Sequence, residues 1–331
     1  MGQRYERAAS ATPASASGAG EIHRGLALDP ATACRQIERF LASEVGRLGR
    51  RGIVLGLSGG LDSSVCAYLC VRALGKSRVQ TLLLPERDSD PANQRHAEQV
   101  AERLGLSPRT VDISSIMASV GVHSLFTREQ AANRAAIEMG LRWITRLSRQ
   151  PSAFSEGLGV LYEPDAGRWT RLARRLLWRP VGRIHAFALT KVRARMMVLH
   201  YHAMLSHALV VGTTDRSEWS IGFYDKYGDA ACDIMPLRHL YKTQIREIAR
   251  CLGVPSAVID KPSSGDLAAG LPNEAAIGLS YEQLDAVLWG LDHALSEAQI
   301  VEEAAVSPAA IDAVRRARRA AQVRELLPSH L

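Results

Sequence analysis

A short polar stretch, Ser58-Gly-Gly-Leu-Asp-Ser-Ser64, combines the groups that bind phosphate. Its paired glycines permit a tight turn and a close approach of the backbone to a ligand. Its serine hydroxyls add hydrogen-bond donors. The first N–H groups of a following helix would have no partner within that helix, and the helix dipole would favour an anion there. The stretch therefore predicts a phosphate-binding loop.

The carboxylate of Asp62 separates this loop from the Walker A type, because no Gly-Lys-Ser/Thr follows at the Walker spacing. A carboxylate inside the loop would repel phosphate unless a cation lay between them. Mg²⁺ is suited to that place because it prefers carboxylate and phosphate oxygens. The alternative is an ordinary strand–turn–helix corner, in which the glycines supply the geometry and Asp62 caps the helix.

The residues around the loop predict strands that alternate with helices. The apolar run 53–57 indicates a buried strand and 63–74 a helix. Further strands are predicted at 79–84, 110–113 and 208–212, and further helices at 91–104 and 184–206. This alternation predicts an α/β fold with an open parallel sheet and flanking helices. Ligands bind such sheets at the carboxyl ends of the strands.

The loop and its strand resemble the pyrophosphatase loop of enzymes that cleave ATP between the α- and β-phosphates and transfer AMP. This group includes NAD synthetases, GMP synthetases, argininosuccinate and asparagine synthetases, and tRNA-thiolating enzymes. Residues 56–64 carry the resemblance. The loop alone does not distinguish among these families.

Eight further motifs stand in the order that is typical of NAD synthetases, and the resemblance covers about residues 30–114 and 184–290. It implies an adenine nucleotide alpha-hydrolase-like fold and an ammonia-dependent reaction. In that reaction ATP adenylates the nicotinate carboxylate of deamido-NAD, pyrophosphate leaves, and ammonia displaces AMP. The motifs are Leu83-Leu-Pro-Glu-Arg87, Lys191-Val-Arg-Ala-Arg-Met196, Val211-Gly-Thr-Thr-Asp-Arg-Ser-Glu218, Gly222-Phe-Tyr-Asp-Lys-Tyr-Gly-Asp229, Asp233-Ile-Met-Pro-Leu237, Leu240-Tyr-Lys-Thr-Gln244, Leu252-Gly-Val-Pro255 and Lys261-Pro-Ser-Ser-Gly-Asp266.

The resemblance also implies roles for individual residues. Asp62 and Glu218 would bind Mg²⁺, and Asp62, Lys242 and Asp229 would be catalytic, with Asp229 near the reacting carboxylate to orient ammonia or accept a proton. The acceptor substrate would contact Arg193, Lys226 and Asp233. ATP would contact Gly56, Leu57, Ser58, Gly59, Gly60, Leu61, Asp62, Ser63, Ser64, Arg87, Thr213, Lys242 and Ser264.

The acceptor side departs from the family pattern. Leu189 stands where an asparagine is usual, Gly270-Leu-Pro-Asn-Glu274 replaces Gly-Gln-Thr-Asp-Glu, and the usual His-Lys near the C-terminus is absent. An amide ligase for a different carboxylate, or a nucleotide-binding or tRNA-modifying paralogue, therefore remains an alternative. The lack of a Cys-x-x-Cys pair argues against thiol transfer, and nucleic acid is not the expected partner.

Residues 115–183 are interpreted as a basic insert. Between Arg128 and Arg195, basic residues outnumber acidic ones by nine, whereas the whole chain has a net charge of +7. The stretch 169–179 is amphipathic, which suits a helix with a solvated basic face, a contact with an acidic partner or polyphosphate, or a membrane surface. We predict that an arginine of 171–179, or Arg183, reaches the acceptor site.

The remaining segments complete the predicted organisation. Residues 1–29 are rich in Ala, Ser and Gly and are expected to be disordered. Residues 30–290 would form the catalytic domain, which contains the insert, and 291–331 a helical tail. The five cysteines lack metal-ligand spacing, and Cys66 and Cys70 are expected to pack on one helix face.

Location and partners are predicted from what the sequence contains. No apolar run reaches membrane-spanning length and no signal peptide opens the chain, so we expect a cytoplasmic protein without a membrane span. No glutaminase region is recognisable, so ammonia is expected to be free or to come from a separate glutaminase. The family resemblance implies a homodimer.

Overall fold

The computed structural model describes residues 20–127, 129, 168–265 and 272–325. Within them, four parallel strands form one sheet in the order β3-β2-β1-β4. The strands are β1 (Gly52–Gly56), β2 (Val79–Leu83), β3 (Arg109–Thr110) and β4 (Ala208–Val210). Every pairing is parallel. The predicted open parallel α/β fold is confirmed.

In the described part of the chain, helices precede, separate and follow the strands. They are α1 (Glu21–Leu26), α2 (Pro30–Arg47), α3 (Leu61–Leu74), α4 (Pro91–Leu104), α5 (Ser114–Ser119), α6 (Arg168–Ser206), α7 (Arg216–Ser220), α8 (Lys242–Leu252), α9 (Ser256–Ile259), α10 (Asn273–Ile277), α11 (Tyr281–Asp292), α12 (Glu297–Ala304) and α13 (Pro308–Glu325). Short 3₁₀ turns occupy Lys76–Arg78 and Val122–Ser124.

Helices cover both faces of the sheet, which is why β1 is an uninterrupted apolar run. On one face, Ile53 and Leu55 pack against α2, α3, α4 and α8. On the other, Val54 packs against α5 and α6. Cys66 and Cys70 are fully buried in the first of these cores, as predicted. Burial on both faces makes the sheet a rigid support for the loops at its carboxyl edge.

A second core joins the C-terminal helices to the start of the described chain. Helix α1 packs against α11, with Ile22 buried beside Trp289, and the N–H of Ile22 donates to a carboxylate oxygen of Glu303 (2.8 Å). The disorder predicted for residues 1–29 is therefore wrong for Glu21–Leu26, whose apolar side chains are buried by helices distant in sequence. Residues 1–19 lie outside the described part of the chain.

Two other elements differ in extent from their predictions. The strand predicted at 110–113 is limited to Arg109–Thr110, although the N–H groups of Val111 and Ile113 still donate to the edge of β2 and the residues after it. The helix predicted at 184–206 begins at Arg168 and runs for 39 residues. It thus includes the amphipathic stretch predicted as a separate helix. Residues 128 and 130–167 of the predicted insert lie outside the described residues.

A buried ion pair joins α6 to the loop after β2. Lys191 Nζ lies 2.5 Å from Glu86 Oε1, with both side chains almost completely enclosed, and His123 Nε2 lies 3.6 Å from Glu86 Oε2. Such a pair needs both partners, because either charge alone would be costly to bury. The ion pair therefore holds Glu86, the residue directly before Arg87, in place.

Where the chain is described, none of its helices combines the length and the hydropathy that crossing a bilayer requires. The cytoplasmic location stays a prediction.

Candidate active site

A cavity of about 620 Å³ opens at the carboxyl ends of β1, β2 and β4. This is the sheet edge at which the sequence places the ligand. The cavity is lined by residues of the loops after all three strands, of the later segment 261–265 and by Asn273. Of the predicted site residues, it is lined by Gly56, Leu57, Ser58, Gly60, Leu61, Asp62, Ser63, Arg87, Thr213, Glu218, Asp229 and Ser264.

The serine hydroxyls organise the phosphate loop. Ser58 Oγ and Ser63 Oγ lie 2.9 Å apart, and Ser63 Oγ accepts the N–H of Ser58 (3.2 Å). Ser58 Oγ accepts the N–H of Gly60 (3.3 Å). Helix α3 begins directly after this turn, so its first N–H groups point toward the cavity edge without partners in their own helix. The geometry suits an anion.

Gly59 and Ser64 support the loop from behind and are not among the described residues that line the cavity. Gly59 has φ +73°, and a Cβ there would lie 2.0 Å from the carbonyl oxygen of Asn93 on α4. Glycine is therefore required at this position. The hydroxyl of Ser64 donates to the carbonyl of Gly60 (2.7 Å), which fixes the turn at the start of α3.

Behind the loop, one buried lysine faces three carboxylates. Lys242 Nζ lies 2.8 Å from Asp62 Oδ2, 2.8 Å from Asp215 Oδ2 and 3.1 Å from Glu218 Oε1. Lys242 is fully buried at the first position of α8 and is not among the described residues that line the cavity, whereas its partners Asp62 and Glu218 are. The structure thus brings together three of the predicted site residues, Asp62, Glu218 and Lys242, and adds Asp215.

The charges of this cluster do not balance. Burial raises the pKa of Glu218 to about 8 and that of Asp215 to about 6, although the ammonium of Lys242 opposes both shifts. Burial also disfavours the charged form of Lys242, but the three carboxylates outweigh it and hold its pKa well above the usual range. One ammonium thus serves three carboxylates, and the raised pKa values of Glu218 and Asp215 indicate that a further cation would be needed to keep all three ionised near neutral pH.

Asp62 and Glu218 fit a hard metal ion. Asp62 Oδ1 is buried and has no hydrogen-bond partner among the described residues, and both side chains line the cavity. In the part of the chain that is described, no group of three or more His, Cys, Asp or Glu residues forms a complete metal site. Mg²⁺ does not need one, because it commonly combines one or two carboxylates with substrate phosphates and water.

Three supporting residues were not predicted from the sequence. The hydroxyl of Tyr281 donates to Glu218 Oε1 (3.0 Å), and the amide nitrogen of Asn273 donates to that hydroxyl (3.1 Å). Asp285 accepts the N–H of Thr243 (2.9 Å), directly after Lys242. The only sequence signal was the altered segment 270–274, which contains Asn273. Tyr281 and Asp285 belong to α11 and reach the site only through the tertiary fold.

Asp229 lies on the cavity wall beside the turn that follows α7. Its Oδ1 accepts the N–H of Asp225 (2.7 Å), and its Oδ2 accepts the hydroxyl of Thr214 (3.3 Å). Burial raises the pKa of Asp229 to about 7, against the effect of the hydrogen bond from Asp225. A carboxyl group with this pKa can accept or release a proton near neutral pH.

The three predicted acceptor residues are not among the described residues that line the cavity. The guanidinium of Arg193 binds both carboxylate oxygens of Asp225 (2.7 and 3.1 Å). Lys226 Nζ donates to the carbonyl of Glu325 (3.1 Å), and Asp233 Oδ2 accepts the N–H of Val210 (2.7 Å). Their assignment to the acceptor stays a prediction.

Two predicted arginines differ in their placement. Arg87 lines the cavity, where its guanidinium binds both carboxylate oxygens of Asp88 (3.0 and 2.8 Å). Arg183 instead donates to the carbonyl of Leu125 (2.6 Å), and its guanidinium lies 5.7 Å from the ring centre of Phe126. The side chains at 168–181, which include the other predicted arginines, lie outside the described residues.

The sheet, the phosphate loop and the carboxylate cluster at the sheet edge define an ATP-using α/β enzyme of the pyrophosphatase-loop class. The family model for NAD synthase matches residues 33–145 and 185–328, so the chain belongs to the NAD synthase family. The unmatched residues between these ranges fall almost entirely within the predicted basic insert.

Relatives support this membership over most of the chain. The NH(3)-dependent NAD(+) synthetase of Thermotoga maritima is 38% identical over 255 residues, which cover 76% of this chain and 84% of the relative. The protein of the same name from Mesorhizobium japonicum is 35% identical over 320 residues, which cover 91% of this chain and 98% of the relative.

Solved structures share the fold. An NMN synthetase from Francisella tularensis superposes with a TM-score of 0.65 at 22% identity, and the match covers 92% of this chain and 99% of that structure. An NH3-dependent NAD synthetase from Campylobacter jejuni superposes with a TM-score of 0.62 at 23% identity, and the match covers 92% of this chain and 100% of that structure.

Proposed function

We propose that this chain catalyses the ammonia-dependent synthesis of NAD from deamido-NAD and ATP. The observation that carries the proposal is the shared cavity wall formed by the phosphate loop, the Asp62–Glu218 carboxylates and Asp229. Curated relatives that match most of the chain are named NH(3)-dependent NAD(+) synthetases. The three parts of the wall correspond to the three needs of that reaction: phosphate binding, charge neutralisation and proton transfer.

The first step would activate a carboxylate, which is a poor electrophile because its leaving group would be oxide. An oxygen of the nicotinate carboxylate attacks the α-phosphorus of ATP, an O–P bond forms, and the bond to the β-phosphate oxygen breaks to release pyrophosphate. The start of α3 and the hydroxyls of Ser58 and Ser63 would hold phosphate oxygens. Arg87, Thr213 and Ser264 line the cavity where ATP would lie.

Mg²⁺ would be held by Asp62 and Glu218, and when bound it supplies positive charge that offsets the repulsion between phosphates and carboxylate. Lys242 would act from behind, because its ammonium keeps Asp62, Asp215 and Glu218 together in one buried cluster. We therefore assign Lys242 to the positioning of the carboxylates rather than to direct contact with ATP.

The second step would form the amide. The nitrogen of ammonia attacks the acyl carbon, the bond from that carbon to the AMP oxygen breaks, and the nitrogen loses a proton. Asp229 would accept this proton, a role that its position on the cavity wall and its pKa, raised by burial to about 7, support. A base with a pKa near the working pH is the most effective kind.

The test is pyrophosphate release by the purified chain with ATP, Mg²⁺, ammonium and deamido-NAD. We expect turnover with these substrates and formation of NAD and AMP. Glutamine in place of ammonium is expected to give no NAD. Faster turnover with nicotinate mononucleotide than with deamido-NAD would favour the alternative of a different carboxylate, and no turnover with either would contradict the proposal.

We also infer that a second copy of the chain covers an exposed apolar stripe on α6. Met197, Tyr201, Met204 and Leu205 are 55%, 59%, 81% and 69% exposed, and their spacing places them on one face of the helix. Contiguous exposed apolar surface marks an interaction site. Arg193 lies one turn before Met197 on the same face, so a dimer here would bring the predicted acceptor residue to the edge of the interface.

Met204→Glu is expected to dissociate the dimer, because the interface would then have to bury a charge in each copy. Sedimentation velocity at micromolar concentration should show the wild type as a dimer and the variant as a monomer. Phe40→Glu is the matched control, since Phe40 is an exposed apolar residue on α2 at the opposite face of the sheet. A monomeric wild type, or an unchanged dimer in Met204→Glu, would contradict this interface.

A further inference from the structure

Asn273 holds the loop that contains Ser264. It begins α10, is almost completely buried and lines the cavity. Its N–H donates to the carbonyl of Ser263 (2.8 Å), and its side-chain oxygen accepts the N–H of Gly265 (2.9 Å). These two bonds are formed on either side of Ser264. The position of Ser264 in the cavity wall therefore depends on Asn273.

The other end of the same amide group reaches the carboxylate cluster. Asn273 Nδ2 donates to the hydroxyl of Tyr281 (3.1 Å) and to Glu218 Oε1 (3.4 Å). The Tyr281 hydroxyl and Lys242 Nζ donate to the same oxygen of Glu218, at 3.0 and 3.1 Å. Three donors thus converge on Oε1. They fix the rotation of the carboxylate and therefore also the position of its other oxygen, Oε2.

We propose that Asn273 is a positioning residue that couples the Ser263–Gly265 loop to Glu218, so that the binding of ATP and the orientation of the metal-binding carboxylate depend on each other. The inference rests on the proposed function only in taking ATP and Mg²⁺ as ligands of this cavity. It does not depend on the identity of the acceptor carboxylate.

The chemistry of the position explains why an amide is suited to it. The Gly265 N–H needs an acceptor, whereas Glu218 and Tyr281 need donors, and the two ends of one asparagine side chain supply both. An ionised aspartate would offer acceptors only. It would also add a fourth carboxylate to a cluster in which one lysine already serves three. An aliphatic side chain would leave the Gly265 N–H without this acceptor and would remove one of the three donors to Glu218.

The experiment measures ATP binding by titration calorimetry, without acceptor or ammonium, once with EDTA and once with Mg²⁺. In the wild type, Mg²⁺ should tighten ATP binding. Asn273→Ala should weaken metal-free ATP binding about tenfold, which corresponds to the loss of about one hydrogen bond. The factor by which Mg²⁺ tightens ATP binding should also become about tenfold smaller, because Glu218 loses one of its three donors and the Tyr281 hydroxyl loses the amide that orients it.

Tyr281→Phe separates the two halves of the coupling. It removes one donor to Glu218 and leaves the bonds of Asn273 to Ser263 and Gly265 in place. We therefore expect it to reduce the Mg²⁺ effect without changing metal-free ATP binding. The melting temperature of each variant is measured alongside, and Asn273→Ser, which keeps a small polar group, replaces Asn273→Ala if alanine prevents folding.

The outcomes separate this inference from the proposed function. A folded Asn273→Ala or Asn273→Ser variant that binds ATP within twofold of the wild type, with the same Mg²⁺ effect, would overturn the coupling alone. Equal losses in Tyr281→Phe with and without Mg²⁺ would also overturn it, because they would indicate a general structural role. A wild type that binds no ATP would overturn the proposed function, and the coupling with it.

Discussion

Replacing Glu218 by alanine is expected to lower the rate of pyrophosphate release by about a thousandfold, with deamido-NAD and ammonium at saturating Mg²⁺. The carboxylate would no longer help to hold the cation, so the phosphates and the acceptor carboxylate would face each other unshielded. Preorganised charge of this kind contributes several kcal/mol to a transition state. Asp62→Ala should have an effect of similar size, because Asp62 lines the cavity and its Oδ1 is a buried acceptor without a hydrogen-bond partner among the described residues.

A matched control is Glu282→Gln. Glu282 belongs to the same part of the chain as Tyr281, but its side chain is exposed and pairs with Arg246 away from the cavity. It should retain full activity. Melting temperatures of the three variants show whether the fold is kept. Turnover close to that of the wild type in either Glu218→Ala or Asp62→Ala would remove the metal role assigned to these residues.

The part of the cavity formed by the phosphate loop could be predicted because its signals are local. The phosphate loop is a contiguous pattern after an apolar strand, and the geometry that it needs, including the positive φ of Gly59, is specified by residues next to each other in sequence. The motif Thr213–Glu218 follows β4 and therefore meets the loop at the same sheet edge. Strand ends and parallel pairing were sufficient to bring these groups together.

The supporting residues could not be predicted in the same way. Asp215, Asn273 and Tyr281 act through Lys242 and Glu218, and their roles arise from side-chain contacts between elements far apart in sequence. A similar reason explains the error at Glu21–Leu26. Low-complexity composition around this segment indicated disorder, whereas Ile22 is buried by helices that begin more than 250 residues later.

The three residues predicted to contact the acceptor were identified from the family resemblance alone. Arg193, Lys226 and Asp233 match the family motifs, yet none of them is among the described residues that line the cavity, and each side chain is engaged by a neighbouring residue. Arg193 continues the exposed stripe of α6, whose other members are apolar. A dimer formed through this stripe would reconcile the Arg193 motif with the geometry, because Arg193 would then lie beside the other copy.

Asp229→Asn is expected to separate the two half-reactions. Adenylation needs no base, so exchange of labelled pyrophosphate into ATP should stay within a few-fold of the wild type. Amide formation should fall by about a hundredfold or more, since proton transfer by a positioned side chain contributes on this scale. At a constant concentration of free ammonia, NAD formation by the wild type should increase with pH up to about 7, as Asp229 ionises, and this dependence should disappear in the variant.

The stability of the same variant supplies an independent check with a definite sign. Burial raises the pKa of Asp229 from 3.8 to about 7, so the folded protein holds a proton there that the unfolded chain releases. The stability that this proton provides is therefore lost as the pH increases toward 7. Between pH 5 and pH 8, the free energy of unfolding should shift in favour of Asp229→Asn by on the order of 3 kcal/mol relative to the wild type.

The two measurements together distinguish catalysis from structure. If Asp229 is a base whose ionised form is destabilised by burial, Asp229→Asn should be less active than the wild type. Relative to the wild type, it should also be more stable at pH 8 than at pH 5. Asp229→Asn keeps a side-chain oxygen for the N–H of Asp225, and the weaker contact with Thr214 should cost only about 1 kcal/mol. Equal losses in pyrophosphate exchange and amide formation, or a stability difference that does not change with pH, would show that Asp229 is not the base.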